Sequence, residues 1–164
     1  MRKIKILLIS FFLFVIPSIS YSLIEVDISR GNLNPLPISV SPLFADKVSN
    51  SLLKNDIQIE NLGLQIADVV ENNLRQTGLF NPLSRKAFLQ KPDIAHLKPR
   101  FEDWALIKSQ ALITGKISYK NEKLKVEFRL WDVLAGREML ALAFTTVPNN
   151  WRRVGHIISD KIYE

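Results

Sequence analysis

The second half of the chain alternates apolar and charged residues in a way that predicts three β-strands. Over 123–130, apolar residues alternate with lysine, glutamate and arginine, which is typical of a strand with one buried and one solvated face. The run 111–119 predicts a preceding strand, with Asn121-Glu122 as the tight turn between the two. Ala135-Gly136 predicts a second turn, and 139–147, apolar on both faces, predicts a third strand covered by helices.

Three other segments repeat their apolar residues at helical spacing. Asn61 is a candidate N-cap for a helix over 61–76, and Gly78 stands where a left-handed residue often ends a helix. A short helix is predicted over 101–109, and Asn149-Asn150 offers caps for a final helix. The apolar stripe of that final helix consists of Trp151, Val154, Ile158 and Ile162.

The first half of the chain contributes two strands and an extended stretch. Residues 23–28 alternate apolar and acidic side chains, and 36–40 form a second apolar run that ends at a proline. From patterning alone, 23–28 is either a permanent edge strand of its own domain, which the pattern favours, or a strand that adds to another protein's sheet. Proline also keeps 80–83 extended, and the mixture of Ser, Asn, Lys and Asp over 46–56 predicts a loop. This order of elements predicts an α+β domain, with a mixed β-sheet of about five strands and helices packed on one face.

The beginning of the chain has the three regions of a secretory signal peptide. Basic residues precede an apolar run over 6–16, and Ser20 and Ser22 supply the small residues of a cleavage site. We predict cleavage between Ser22 and Leu23, so that 1–22 is the signal peptide and the mature protein is exported. A membrane anchor is the weaker alternative, because the run is shorter than the roughly 20 residues that span a bilayer. Without cysteine, a lipoprotein anchor is excluded.

Charge and composition argue against nucleic acid as a partner. The chain carries a net charge of +6, and removal of three basic residues with the signal peptide leaves +3, which is ordinary for an exported domain. The lysines of the predicted hairpin are expected on its solvated face, and Phe128 on the buried one, so no exposed aromatic is available to stack on bases. The lysines are Lys116, Lys120, Lys123 and Lys125.

No pattern of residues predicts catalysis. His156 and Asp160 share a face of the last helix, but a metal site needs a third ligand, and His96 lies in a different segment. Asp68 and Glu71 are close enough to form an acid–base pair, yet the solvated face of their helix is the better interpretation. No phosphate-binding or nucleophile motif is present. We therefore predict a non-enzymatic protein without cofactor or metal.

A set of short segments carries a resemblance to a known family. They are 36–42 (LPISVSP), 66–83 (IADVVENNLRQTGLFNPL), Trp104, 112–115 (LITG), 129–132 (RLWD) and 151–164 (WRRVGHIISDKIYE). In this order they resemble the amino-terminal domain of the TolB family, the periplasmic component of the Tol-Pal system. The resemblance covers essentially all of 24–164.

The resemblance implies a role in protein interaction. Members of the family have an α/β domain, here 36–164, followed by a β-propeller that docks the lipoprotein Pal. Their mature N-terminal strand, here within the strand and linker 23–35, contacts TolA in a system that supports outer-membrane integrity and constriction during division and that imported macromolecules exploit. The residues to which this contact maps are Leu23, Ile24, Glu25, Val26, Asp27, Ile28, Ser29, Arg30, Gly31, Asn32 and Leu33.

No propeller repeat is present in the sequence, so Pal binding is not carried over by the resemblance. Three alternatives to an active TolA-binding domain stay open at this point. The chain is a different exported envelope module, an enzyme or metal protein that uses His156 and Asp160, or a truncated, split or fragmentary product without activity. In each case we expect no stable membrane insertion after processing.

Overall fold

The structure, a computed structural model, describes residues 34–57 and 61–164. The predicted signal peptide 1–22, its cleavage site and the predicted strand and contact segment 23–33 lie outside the described residues. Among the described residues, no helix is both long and apolar enough to cross a membrane.

The sheet is mixed, and its long strands form a meander. In the described part of the chain the strand order is β3-β1-β4-β5-β6, with the short β2 paired to β4. The pairs β1/β3, β1/β4 and β2/β4 are parallel, whereas β4/β5 and β5/β6 are antiparallel. The strands are β1 (Leu36–Val40), β2 (Phe44–Ala45), β3 (Phe80–Pro82), β4 (Ala111–Lys120), β5 (Lys123–Asp132) and β6 (Arg137–Thr146). The predicted α+β class with a mixed sheet is confirmed.

Two long helices cover one face of the sheet. Their bounds agree with the predicted helices, and they pack on the apolar side chains of β4 and β5. The side chain of Asn61 accepts a hydrogen bond from Leu64 N at 3.2 Å, and Gly78 follows the first of the two helices with φ of 71°. Gly155 allows the pair to approach closely, because a Cβ there would lie 2.8 Å from Val69 Cγ1. The helices are α1 (Lys47–Ile57), α2 (Leu62–Gln76), α3 (Pro92–Ala95), α4 (Phe101–Leu106) and α5 (Trp151–Tyr163), of which α2 and α5 are the two long ones described here.

The short helices α3 and α4 cover one end of the opposite face. There Trp104 packs with Ala95, Leu112 and Val133 in a second, smaller core. Leu112 alternates with Ile113 of the main core, which places the two clusters on opposite sides of β4. Helix α4 ends earlier than the predicted 101–109, because Lys108 adopts a φ of 63°.

The prediction of a loop over 46–56 was wrong, since helix α1 occupies this stretch. Asp46 Oδ1 accepts a hydrogen bond from Ser49 N at 2.7 Å, and that bond holds the pKa of Asp46 below its usual value. Leu53 is fully buried, and Ser49 Oγ accepts a hydrogen bond from Tyr119 N at 3.2 Å. The helix therefore buries a narrow stripe that contains Ser49 and Leu53, while most of its other polar residues are exposed.

Strand β6 also differs from its prediction. It begins at Arg137 rather than 139, and its residues alternate between half-buried and exposed. One side is covered, as predicted, but the other side is exposed because no residue of β6 belongs to the second core beneath α3 and α4. Runs of small and apolar residues do not distinguish an edge strand from a central one, which is why the sequence pattern failed here.

Candidate functional site

The point where the predicted contact segment joins the domain is well defined. Residues 23–33 lie outside the described residues, and β1 begins shortly after them at Leu36. Leu36 N donates to Leu79 O at 2.8 Å, and β1 is hydrogen-bonded to β3 on one side and β4 on the other. Residues 23–33 are therefore followed, after two residues, by an interior strand of the sheet.

The two histidines lie in separate surroundings. His156 Nδ1 is 2.9 Å from Asn73 Nδ2, which also donates to Ser159 Oγ at 3.0 Å. The ring of His96 instead stacks on Phe44 with centroids 4.5 Å apart. In residues 34–57 and 61–164, no group of three His, Cys, Asp or Glu side chains is arranged to hold a metal ion. The histidines thus serve helix packing and ring stacking.

The carboxylates that could have formed an acid–base pair are bound to an arginine instead. Arg85 Nη1 lies 2.5 Å from Asp68 Oδ1, and Arg85 Nη2 lies 2.7 Å from Glu71 Oε2. The Nε of Arg85 donates to Val40 O at 3.3 Å, so this side chain ties the stretch after β3 to both α2 and β1. Arg75 pairs with Glu71 as well, at 2.6 Å. The cluster is structural, and Arg85 was not identified from sequence because it lies 17 residues from Asp68.

The basic hairpin has the arrangement predicted for a solvated face. Phe128 is buried, as predicted, and Lys125 pairs with Glu127 at 2.9 Å. The hydroxyl of Tyr119 donates to Asp56, which joins the end of α1 to the hairpin. Neither aromatic side chain is presented for base stacking.

We expect the Tyr119–Asp56 contact to be visible in an alkaline titration. The hydrogen bond to the carboxylate raises the pKa of Tyr119 to about 12 from an ordinary value of 10.0. Because the folded-state pKa is raised, the stabilisation from this bond is complete below pH 10 and is lost as the pH rises through 12. Absorbance at 295 nm should show a midpoint near 12 that Tyr119→Phe removes and Asp56→Asn returns to about 10.

Tyr163→Phe provides the control for this titration, since Tyr163 lies at the exposed end of α5. It should leave the high-pH midpoint in place. A midpoint unchanged by Asp56→Asn would contradict the assignment.

Comparison with known proteins identifies the family. The TolB amino-terminal domain family matches residues 24–139. The chain is 68% identical over 155 residues to the Tol-Pal system protein TolB of Pelagibacter ubique (strain HTCC1062), and the match covers 94% of this chain and 35% of that protein. The chain thus spans about a third of the length of that relative.

Solved structures agree on the fold. TolB from Acinetobacter baumannii superposes with a TM-score of 0.60 at 20% identity, over 79% of this chain and 27% of that one. The lipoprotein GNA1162 from Neisseria meningitidis superposes with a TM-score of 0.50 at 16% identity, over 79% of this chain and 95% of that one. At such identities the likeness concerns fold alone. Together with the family match over residues 24–139, these findings show that the chain belongs to the TolB family and carries its amino-terminal domain.

Proposed function

We propose that this chain is a non-enzymatic, periplasmic component of the Tol-Pal system that binds TolA through residues 23–33. The observation that carries the proposal is the 68% identity to a Tol-Pal system protein TolB over nearly the whole chain. The family match begins at residue 24 and therefore includes almost all of the proposed contact segment. Through this contact the protein supports outer-membrane integrity and constriction during division, and it serves macromolecules that enter through the system.

The proposed mode of binding is addition of a strand to the partner's sheet. Ile24, Val26 and Ile28 fall on one face of an extended segment, and Glu25 and Asp27 fall on the other. Backbone groups of such a strand supply the affinity, while the apolar face packs on the partner. Because β1 is an interior strand and follows the segment closely, a partner bound to the segment would be joined directly to the sheet of the domain. Pal is not part of the proposal.

The test is a calorimetric titration of the chain that starts at Leu23 against the periplasmic domain of TolA. A chain that starts at Asn34 is the comparison, and circular dichroism verifies that both are folded. Saturable binding that disappears with residues 23–33 supports the proposal. Binding that survives the deletion would favour a different envelope module that binds through its sheet or helices, and no binding by either folded chain would refute the TolA role.

Proline substitutions should identify the strand-addition mode. Successive N–H groups of a strand point to opposite edges, so proline at one of two neighbouring positions must remove a donor that faces the partner. We expect either Val26→Pro or Asp27→Pro to weaken TolA binding at least tenfold, on the order of 1.4 kcal/mol. Val26→Ile is the matched control, since it keeps the N–H, the β-branched shape and the apolar character of this face. Unchanged affinity in both proline variants would exclude strand addition at this position.

A further inference from the structure

The two edges of the sheet differ sharply in how they are protected. At one edge, β3 is three residues long and contains Pro82, which has no N–H to offer another strand. At the other edge, β6 is ten residues long. In the part of the chain that the structure describes, no strand pairs with the outer side of β6. Among residues 34–57 and 61–164, its outward backbone groups therefore have no partner strand.

From Leu140 onward, β6 lacks the usual devices that prevent edge pairing. Natural edge strands carry lysine, proline or a bulge that interrupts the edge. From Met139 to Thr146 there is neither a charge nor a proline. The register shift at Leu130 and Trp131 leaves Met139 of β6 without a partner on β5, so the bulge and the charges Arg137 and Glu138 are confined to the beginning of β6. The stretch from Leu140 onward is thus regularly paired to β5 on one side and unprotected on the other.

We propose that β6 is a homodimerisation edge, at which the strands of two copies pair antiparallel about a two-fold axis at Leu142. Residues that face each other across an antiparallel pair share a face of the sheet. About this axis Leu140 meets Phe144 of the second copy, and Leu142 meets its own counterpart. On the exposed face Ala141 meets Ala143. The half-buried side chains Leu140, Leu142 and Phe144, which pack at the rim of the main core, gain the cover that the domain alone does not give them.

Charge placement favours a second copy in this orientation. The charged residues of β6, Arg137 and Glu138, stand together at its beginning. Antiparallel pairing puts them at opposite ends of the joined strands, against Val147 and Thr146 of the other copy. Parallel pairing would instead bring like charges side by side. Glu138 Oε2 also lies 3.0 Å from Arg129 Nε of the same copy. The end of the paired strands therefore carries an ion pair rather than an isolated negative charge.

The expected dimer is weak and reversible. The paired part of the two strands, about eight residues of each copy, is roughly 27 Å long. An interface made of one strand from each copy buries an area at the small end of the range for specific interfaces. Complexes with such small interfaces are transient. Dimer formation should therefore depend on protein concentration and join the two sheets into one continuous sheet.

Paired charges at Ala141 and Ala143 test both the dimer and its register. Both side chains are exposed, so the domain tolerates their replacement. Their neighbours on β5 are Arg129 and Glu127, respectively. The opposite-charge variant, Ala141→Glu with Ala143→Lys, places opposite charges across the two-fold axis and beside both β5 neighbours. The double-lysine variant, Ala141→Lys with Ala143→Lys, places lysine against lysine. The measurement is sedimentation equilibrium of the chain that starts at Leu23, from about 10 µM to about 1 mM.

We expect the unmodified chain and the opposite-charge variant to dimerise as concentration rises. The double-lysine variant should dimerise at least tenfold more weakly, with a thermal unfolding midpoint that is only slightly lower because the lysine at position 141 faces Arg129 of β5. A chain that stays monomeric to about 1 mM would overturn the proposal. That result would hold equally if another segment of the same chain pairs with the outer edge of β6 or if nothing pairs with it. Equal weakening of dimerisation in both double variants would also overturn the proposal. It would indicate that the two copies touch near β6 but that Ala141 does not face Ala143 of the other copy.

Discussion

Gly63→Ala is expected to destabilise the domain by about 3 kcal/mol, an effect opposite in sign to the one that helix propensity predicts. Alanine in a helix is favoured over glycine by about 1 kcal/mol. A Cβ at Gly63, however, would overlap the carbonyl oxygen of Leu43 and lie 2.8 Å from its carbonyl carbon. Gly63 O also accepts a hydrogen bond from Leu43 N at 3.2 Å, so the two backbones are fastened at the point of collision.

The collision is costly because both sides are backbone. Helix α2 is anchored in the core, and the Leu43 stretch leads directly into β2, so neither moves without disturbing the packing of the other. Thermal unfolding followed by circular dichroism should show a midpoint roughly 10 °C lower.

Gly78→Ala is the matched control for this prediction. Gly78 has a φ of 71° and open space around it. The same substitution there should cost only about 1 kcal/mol, through backbone conformation. Equal losses at the two positions would show that conformational preference, and not the contact with Leu43, dominates at Gly63.

The elements predicted correctly are those whose signals lie within one segment. Helix α2 combines a cap at Asn61, a regular apolar stripe and a stop at Gly78, and all three agree in the structure. The β4–β5 hairpin likewise combines strict alternation with a turn at Asn121-Glu122, where both residues adopt positive φ. Agreement among several local signals is what makes such elements predictable from sequence.

Helix α1 shows why the rest could not be predicted. Its residues are mostly serine, asparagine, lysine and aspartate, which favour turns when considered alone. What makes them helical is their position against β4, where Leu53 is buried and Ser49 accepts a bond from Tyr119. Ser49 and Tyr119, which form this hydrogen bond, are 70 residues apart in the sequence. A tertiary contact of this kind overrides local preference, and the cap that Asp46 provides is the local signal that could have indicated the helix.

The polar groups that fasten the irregular stretch between β3 and β4 were missed for the same reason. Arg85 reaches Val40 across 45 residues, and Gln90 reaches Trp104 across 14. Neither lies on a strand or a helix with a period that would reveal its buried side. For the proposed contact segment 23–33, sequence and family membership supply the whole argument, since the described residues begin after it.

Gln90→Ala is expected to be the second strongly destabilising substitution, again at about 3 kcal/mol. The side chain is almost fully buried and makes three hydrogen bonds to the stretch that follows it. Gln90 Oε1 accepts from Arg100 N at 3.0 Å and from Trp104 Nε1 at 3.1 Å, and Gln90 Nε2 donates to Lys98 O at 3.1 Å. Alanine would leave these partners unsatisfied, and each buried group that loses its partner costs about 1–3 kcal/mol.

The hydrogen bonds of Gln90 lie beside the second core, and this position determines which spectroscopic change their loss should cause. Trp104 is buried against Leu112 of β4, so loosening of α4 exposes one end of the sheet face that α3 and α4 cover. Urea unfolding monitored by tryptophan fluorescence should therefore give a lower midpoint for Gln90→Ala, together with a red-shifted folded-state emission as Trp104 gains water. Gln110→Ala removes the same kind of side chain from an exposed position. It should leave the unfolding midpoint and the folded-state emission wavelength unchanged. Equal behaviour of the two variants would mean that the stretch between β3 and β4 is held by its apolar contacts alone.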